Sequence, residues 1–138
     1  MALDVGDSRI GVALSDPTEV LASPLTIIRR TNESADVQII ADLVKQHGAG
    51  KLVIGLPISL AGGEGMQSEK VKAFTAQLKV SPSVPIELVD ERFSTVTAKE
   101  YMRESGVKKK RRAEHHDDAI AAAVILQDYL DESRGRRG

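Results

Sequence analysis

The first thirty residues show the alternation of apolar and polar positions that is typical of β-strands. Apolar residues predominate at positions 1–5 and 9–14, on either side of the turn Gly6-Asp7-Ser8. This pattern predicts a β-hairpin, and Thr26-Ile27-Ile28 predicts a third strand after Pro24. We expect the three strands to form an antiparallel β-meander.

Further along the chain, helical and strand-like spacings alternate. Apolar residues at helical spacing, together with capping residues, predict helices at about 34–47, 68–78, 97–104 and 117–129. Two more strands are predicted at 51–56 and 86–91, with a glycine-rich loop at 57–65 between them. The consecutive apolar residues of 51–56 indicate a strand that is covered on both faces. The order β-β-β-α-β-α-β-α-α predicts an α/β fold, a mixed β-sheet flanked by helices on both faces.

Length and composition exclude several classes of protein. The chain has 138 residues, of which 41% are hydrophobic, and this predicts a single domain over residues 1–138. It contains no cysteine, which excludes disulfides and zinc–thiolate sites and fits a reducing compartment, so we expect a cytoplasmic protein. A signal peptide is not expected, because Asp4 and Gly6 interrupt the first apolar stretch. No run approaches the ~20 apolar residues of a membrane span, so no membrane partner is expected.

The charges are unevenly distributed. A net charge of -1 argues against a uniformly basic surface. Five consecutive cations nevertheless precede the last predicted helix, namely Lys108, Lys109, Lys110, Arg111 and Arg112, and three more arginines follow in a tail that we expect to be flexible from about residue 133. Such a block is either a solvated segment or a phosphate-binding one, and both interpretations stay open.

Carboxylates stand at three places inside or next to apolar segments. Asp4 lies inside an apolar strand, where an ionised group needs a cation or hydrogen-bond donors. Asp90-Glu91 ends a strand, and Asp117-Asp118 begins a helix. Three or four such oxygen ligands suit Mg²⁺, and a pair of divalent ions can drive phosphodiester hydrolysis. The pattern favours a carboxylate metal site.

In each of the two neighbouring acid pairs, Asp90-Glu91 and Asp117-Asp118, one residue should be the better candidate for a metal ligand. Strand alternation puts Asp90 and Glu91 on opposite faces of the sheet, so only one should point toward Asp4. Asp118 shares a helix face with Ala122, Ile125 and Tyr129, whereas Asp117 suits an N-cap position.

Four motifs along nearly the whole chain are similar to those of one known family. They are Leu3-Asp4-Val5-Gly6 with Arg9-Ile10-Gly11-Val12-Ala13, Val53-Ile54-Gly55-Leu56-Pro57, Asp90-Glu91-Arg92-Phe93-Ser94-Thr95, and Asp118 before Ala122-Ala123-Val124-Ile125-Leu126. With these motifs the chain resembles the YqgF family, also called RuvX, of the RNase H-like superfamily.

The resemblance implies a metal-dependent nuclease that trims the 5′ end of precursor 16S ribosomal RNA and uses Mg²⁺ or Mn²⁺. It implies that Asp4, Glu91 and Asp118 are the metal-binding catalytic acids. Asp117 precedes Asp118 where the family has a different pattern, so Asp117 stays open as an additional ligand, as does Asp90. Arg9 and the basic segment 108–112 are the expected nucleic-acid contacts.

Other functions compete with this one. The same superfamily includes Holliday junction resolvases, which act on branched DNA and need a symmetric dimer to place two sites on a junction. A non-catalytic RNA-binding module and a fragment of an actin-like ATPase are remoter alternatives, and the chain is too short for the two lobes of the latter. Ribosomal particles are candidate partners, and the sequence leaves both monomer and homodimer open.

Overall fold

The computed structural model describes residues 1–57, 65–79, 84–90 and 117–137, with side chains of the last segment described from 118 to 133. Its elements are β1 (Ala2–Val5), β2 (Arg9–Ser15), β3 (Ala22–Arg29), α1 (Glu33–His47), β4 (Leu52–Leu56), α2 (Met66–Leu78), β5 (Ile86–Asp90) and α3 (Asp117–Arg137). The helix predicted at 97–104 and the basic segment 108–112 lie outside the described residues.

Within the described ranges, five strands form one sheet in the order β3-β2-β1-β4-β5. The pairs β1–β2 and β2–β3 are antiparallel, which confirms the predicted meander, while β1–β4 and β4–β5 are parallel. The sheet is therefore mixed, as predicted, and β1 with Asp4 runs along its centre. All five residues of β4 are buried, in agreement with a strand covered on both faces.

Side-chain alternation divides the core into two layers. On one face, α1 and α2 pack on the sheet through a cluster that includes Leu3, Val5, Ile10, Val12, Val37, Ile40, Val44, Val71, Phe74 and Leu78. On the other face, α3 packs through a smaller cluster of Ala2, Ala13, Ala22, Val53, Ala122, Ala123, Ile125, Leu126 and Leu130. The many alanines in the second cluster let α3 lie close to the strands.

Two elements extend well beyond their predicted bounds. Strand β3 begins at Ala22 rather than Thr26, because a β-bulge between Val12 and Ala13 keeps β2 paired with it past Pro24. The predicted end of α3 near residue 129 is wrong, since the helix continues to Arg137 through a segment with no proline and one glycine. Its backbone is thus helical over most of the tail predicted from residue 133.

The bounds of α1 follow from its capping residues. Asn32 accepts a hydrogen bond from the backbone N–H of Ala35 at 2.8 Å, so the helix begins at Glu33, one residue before the predicted start. Gly48, with φ of 65°, ends it as predicted. No helix within the described ranges is both long and apolar enough to span a lipid bilayer.

Candidate active site

Asp4 lies near the end of the central strand and faces α3. It follows Ala2 by two residues, and Ala2 belongs to the cluster under α3. Across the β1–β2 ladder Asp4 is opposite Gly11. Its side chain is half-buried, so a carboxylate sits at the edge of the apolar layer where solvent can still reach it.

The first turn of α3 lies directly on Gly11. A β-carbon at this position would be 1.9 Å from the carbonyl oxygen of Asp118 and 2.8 Å from the backbone nitrogen of Ala119. Only glycine permits this approach. Because Gly11 is the ladder partner of Asp4, the contact puts Asp118 beside the strand that carries Asp4 and on the same face of the sheet. The structure thus brings together two of the three predicted acids.

Arg9 joins this arrangement through an ion pair. Its Nε is 3.0 Å from Oδ2 of Asp118, and the two side chains are 56% and 34% exposed. Arg9 precedes Gly11 by two residues on β2, so it faces α3 as well. A pair this accessible contributes only about 0–1 kcal/mol to stability. Its main effect is to hold positive charge against a candidate catalytic carboxylate.

The pattern of burial along α3 does not by itself show which of the two aspartates, Asp117 or Asp118, faces the sheet. Residues 119, 120 and 122–126 are all at most 3% exposed, so burial along this stretch of the helix extends well beyond one apolar face. The ion pair and the contact with Gly11 are what place Asp118. The side chain of Asp117 lies outside the described residues.

Asp90 is on the other side of the sheet from Asp4. It follows Ile86 by four residues in β5, and Ile86 packs against the cluster under α1 and α2. Val89, by contrast, packs against the cluster under α3. Glu91 and Lys108, Lys109, Lys110, Arg111 and Arg112 lie outside the described residues. Within the described ranges no three metal-binding side chains gather. Of the three predicted catalytic acids, Asp4 and Asp118 lie in these ranges.

A buried ion pair behind the site was not predicted from the sequence. Asp36 of α1 is 1% exposed and accepts from Nε of Arg30 at 3.2 Å and from the backbone N–H of Thr31 at 3.2 Å. Arg30 also donates from Nη1 to the carbonyl of Gly6 at 2.9 Å, and its guanidinium stacks 4.9 Å from the centre of the Phe74 ring. The pair therefore fixes the turn that follows β1, two residues after Asp4.

One signal in the sequence could have pointed to this pair. Asp36 stands beside Val37 and four residues before Ile40, on the apolar side of a predicted helix. A charged residue at such a position needs a buried partner. Nothing local identifies Arg30 as that partner, because its position follows from the path of β3.

Comparison of the fold with solved structures shows its class. RuvC of T. thermophilus in complex with a Holliday junction substrate superposes with a TM-score of 0.65 over 96% of this chain and 93% of that one, at 13% identity. The fowlpox virus resolvase in complex with Holliday junction DNA gives 0.57 over 95% of both chains, at 11% identity. The chain therefore shares the fold of these two resolvases.

Sequence comparison identifies the family, which is a smaller group than the proteins that share this fold. The family model described as RuvX, Holliday junction resolvase, matches residues 1–132. A protein of Dehalococcoides mccartyi named "Putative pre-16S rRNA nuclease" is 54% identical over 94% of this chain and 95% of its own length. A protein of the same name from Roseiflexus sp. is 45% identical over 97% and 94%. The chain belongs to the RuvX family, which confirms the resemblance identified from the four motifs.

Proposed function

We propose that this protein is a metal-dependent nuclease whose catalytic acids are Asp4, Glu91 and Asp118. The observation that carries the proposal is the contact between Gly11 and the first turn of α3, which brings Asp118 beside Asp4. Two carboxylates that the sequence separates widely share one partly solvated position on the sheet. Neighbouring carboxylates repel each other, and a divalent cation bound between them would remove that repulsion.

The donor set suits a hard divalent cation. Asp4 and Asp118 offer carboxylate oxygens and the chain has no cysteine, so the site fits Mg²⁺ or Mn²⁺ rather than a soft metal. Glu91 is the proposed third ligand because Asp90, its neighbour in sequence, faces the opposite side of the sheet. Divalent ions held there would supply a Lewis acid and an activated water for phosphodiester hydrolysis. Asp117 stays open as a fourth ligand.

The chain's own residues have two further roles in this proposal. Arg9, beside Asp118, places a guanidinium where it can contact a phosphate oxygen of the substrate. The basic segment from Lys108 to Arg112 precedes the helix that carries Asp118, and we propose that it adds phosphate contacts that increase affinity without taking part in the chemistry.

The proposed substrate is the 5′ end of precursor 16S ribosomal RNA. The support is the name shared by relatives that are up to 54% identical to this chain over nearly its full length. Action on this RNA implies a cytoplasmic protein that meets ribosomal particles during their maturation. The second candidate is resolution of four-way DNA junctions, which is favoured by the description of the family model and by the titles of the superposed structures.

A cleavage assay separates the candidates. Purified protein is incubated with labelled precursor rRNA and with a four-way DNA junction, each with Mg²⁺, Mn²⁺ or excess chelator, and Asp4→Asn serves as the inactive control. Metal-dependent cleavage of the RNA supports the first candidate, and symmetric cleavage of the junction by a dimer supports the second. Full cleavage in chelator would contradict the metal mechanism. Binding without cleavage under every condition would leave a non-catalytic RNA-binding module.

A further inference from the structure

Two arginines face each other beside the candidate site. Arg9 of β2 is the ladder partner of Arg29 at the end of β3, and both side chains are exposed. Because Arg9 lies on the α3 face, its ladder partner lies there too. Arg29 belongs to β3, the outermost strand on this side of the sheet, and was not a candidate in the sequence.

This arrangement is unfavourable for folding by itself. Like charges directly opposite each other on neighbouring strands destabilise a sheet. Asp118 neutralises Arg9 at 3.0 Å. Arg29 has neither an ion pair nor a side-chain hydrogen bond with any other residue in the part of the chain that the structure describes. The second guanidinium therefore adds positive charge to this face without a compensating carboxylate there.

We propose that Arg29 and Arg9 together bind consecutive parts of the phosphodiester backbone of the substrate as it crosses the β3 edge toward Asp4. This inference rests on the proposed nuclease function. Neighbouring strands are about 4.8 Å apart, so Arg29 lies about 10 Å across the sheet from the strand that carries Asp4. A guanidinium at that distance contacts the backbone beyond the cleaved bond, and its planar donors match phosphate oxygens.

A different explanation must be separated from this one. A charged residue on an outer strand also prevents two sheets from pairing edge to edge. That role needs a charge on Arg29 but no nucleic acid. It predicts that removal of the charge promotes aggregation and leaves nucleic-acid binding unchanged.

The test measures binding in an Asp4→Asn background, in which the substrate is not consumed. Fluorescence anisotropy gives the Kd of a single-stranded RNA and of a four-way DNA junction between 50 and 300 mM salt, a range of about sixfold. Arg29→Gln is compared with Lys45→Gln, which removes one exposed cation from α1 on the other side of the sheet. Arg29→Lys keeps the charge, and melting temperatures confirm that every variant is folded.

We expect Arg29→Gln to lower the slope of log Kd against log salt by about 0.7 for RNA or 0.9 for the junction, and to weaken binding about fivefold near 0.15 M salt. Lys45→Gln should leave both values unchanged, and Arg29→Lys should keep most of the slope. A loss in either arm supports the proposal and identifies the nucleic acid that is bound. An unchanged slope in both arms overturns it.

The result is independent of whether the protein cleaves. If wild-type protein fails to cut either substrate but Arg29→Gln flattens the salt dependence, the proposed function fails and the phosphate contact stands. If wild-type protein cuts and the slope does not change, the nuclease proposal stands and the role of Arg29 fails.

Discussion

The carbonyl oxygen of Asp118 lies 1.9 Å from the place that a β-carbon on Gly11 would occupy. Both are parts of the backbone, so no side chain can rotate to make room, and Gly11→Ala must displace the first turn of α3. We expect a loss of about 1–3 kcal/mol in the free energy of unfolding, as for other overpacked positions. Because Asp118 moves with the turn, we also expect cleavage to fall further than the change in stability explains.

Gly50→Ala is the matched control for this substitution. Apart from its two chain neighbours, no atom of the described residues lies within 4 Å of a β-carbon at position 50. The change should therefore alter the free energy of unfolding by less than about 1 kcal/mol and leave cleavage intact. Urea unfolding and cleavage rates measured on both variants decide the matter. Equal effects at the two positions would show that α3 does not depend on Gly11.

Substitution of the acids tests the proposed site directly. Asp4→Asn should abolish metal-dependent cleavage and keep or raise the melting temperature in chelator, since it removes repulsion between neighbouring carboxylates. Asp118→Asn should also be inactive, at a cost of at most about 1 kcal/mol for the accessible pair with Arg9. Asp117→Asn should remain active, because at the first residue of α3 it removes only the modest favourable interaction of a negative charge with the helix N-terminus. An Asp117→Asn variant as inactive as Asp118→Asn would show that both aspartates bind metal.

Arg9 and a divalent cation should compete for Asp118. The guanidinium occupies Oδ2 at 3.0 Å and repels a second cation at short range. We therefore expect Arg9→Gln to bind Mn²⁺ more tightly than wild-type protein and to bind nucleic acid more weakly. Calorimetric titration with Mn²⁺ and anisotropy with RNA measure the two effects. Unchanged or weaker Mn²⁺ binding would mean that Asp118 is not a metal ligand or that Arg9 assists the metal.

Removal of Arg30 should lower the stability of the whole fold and not only disturb the site. Arg30→Met leaves the carboxylate of Asp36, which is 1% exposed, without its cation, and breaking a buried pair in this way costs about 3–5 kcal/mol. Arg30 itself is 22% exposed, so we expect the lower end of that range. Adding Asp36→Asn should recover part of the loss in a double-mutant cycle. Arg29→Met, the neighbouring substitution, should change stability by less than about 0.5 kcal/mol. Additive losses in the cycle would exclude coupling.

Asp16 gives the loop between β2 and β3 a defined pH dependence. Its carboxylate accepts hydrogen bonds from the hydroxyl of Thr18 and from the backbone N–H groups of Leu21 and Val20, and these lower the pKa of Asp16 from 3.8 to about 2. A pKa that is lower in the folded state stabilises the protein above pH 3.8, and this contribution is lost as the pH falls toward 2. The difference in stability between wild-type protein and Asp16→Asn should shrink between pH 5 and 2 in urea unfolding. A constant difference would contradict the assignment.

Local patterns predicted most of the fold. The meander, the buried strand β4 and the helices α1 and α2 follow from alternation, apolar runs and capping residues, all of which act over a few positions. The extent of β3 depends on a bulge at Val12, and the extent of α3 on the absence of a breaker after Tyr129. Neither is marked by the apolar pattern alone.

The site was predicted less completely, because its contacts join distant segments. A carboxylate inside an apolar strand and another at the start of a helix identified Asp4 and Asp118 as candidates, but their proximity depends on how closely α3 packs on Gly11. The role of Arg9 as partner of Asp118 and that of Arg30 behind the turn at Gly6 depend on the paths of β2 and β3. Arg29 becomes a candidate for phosphate binding only because the strand register places it opposite Arg9.

Because α3 packs on the meander, the candidate site can form only after the segment that carries α3 has been synthesised. Gln127 on this helix accepts from the backbone N–H of Ala22 at 3.0 Å and donates to the carbonyl of Val20 at 2.8 Å, so α3 is held to the meander beyond Gly11 as well. The ribosome synthesises Asp4 long before Asp118. A nascent chain therefore exposes Asp4 without Asp118 beside it, and the two carboxylates meet only after α3 has been made and has packed on the sheet.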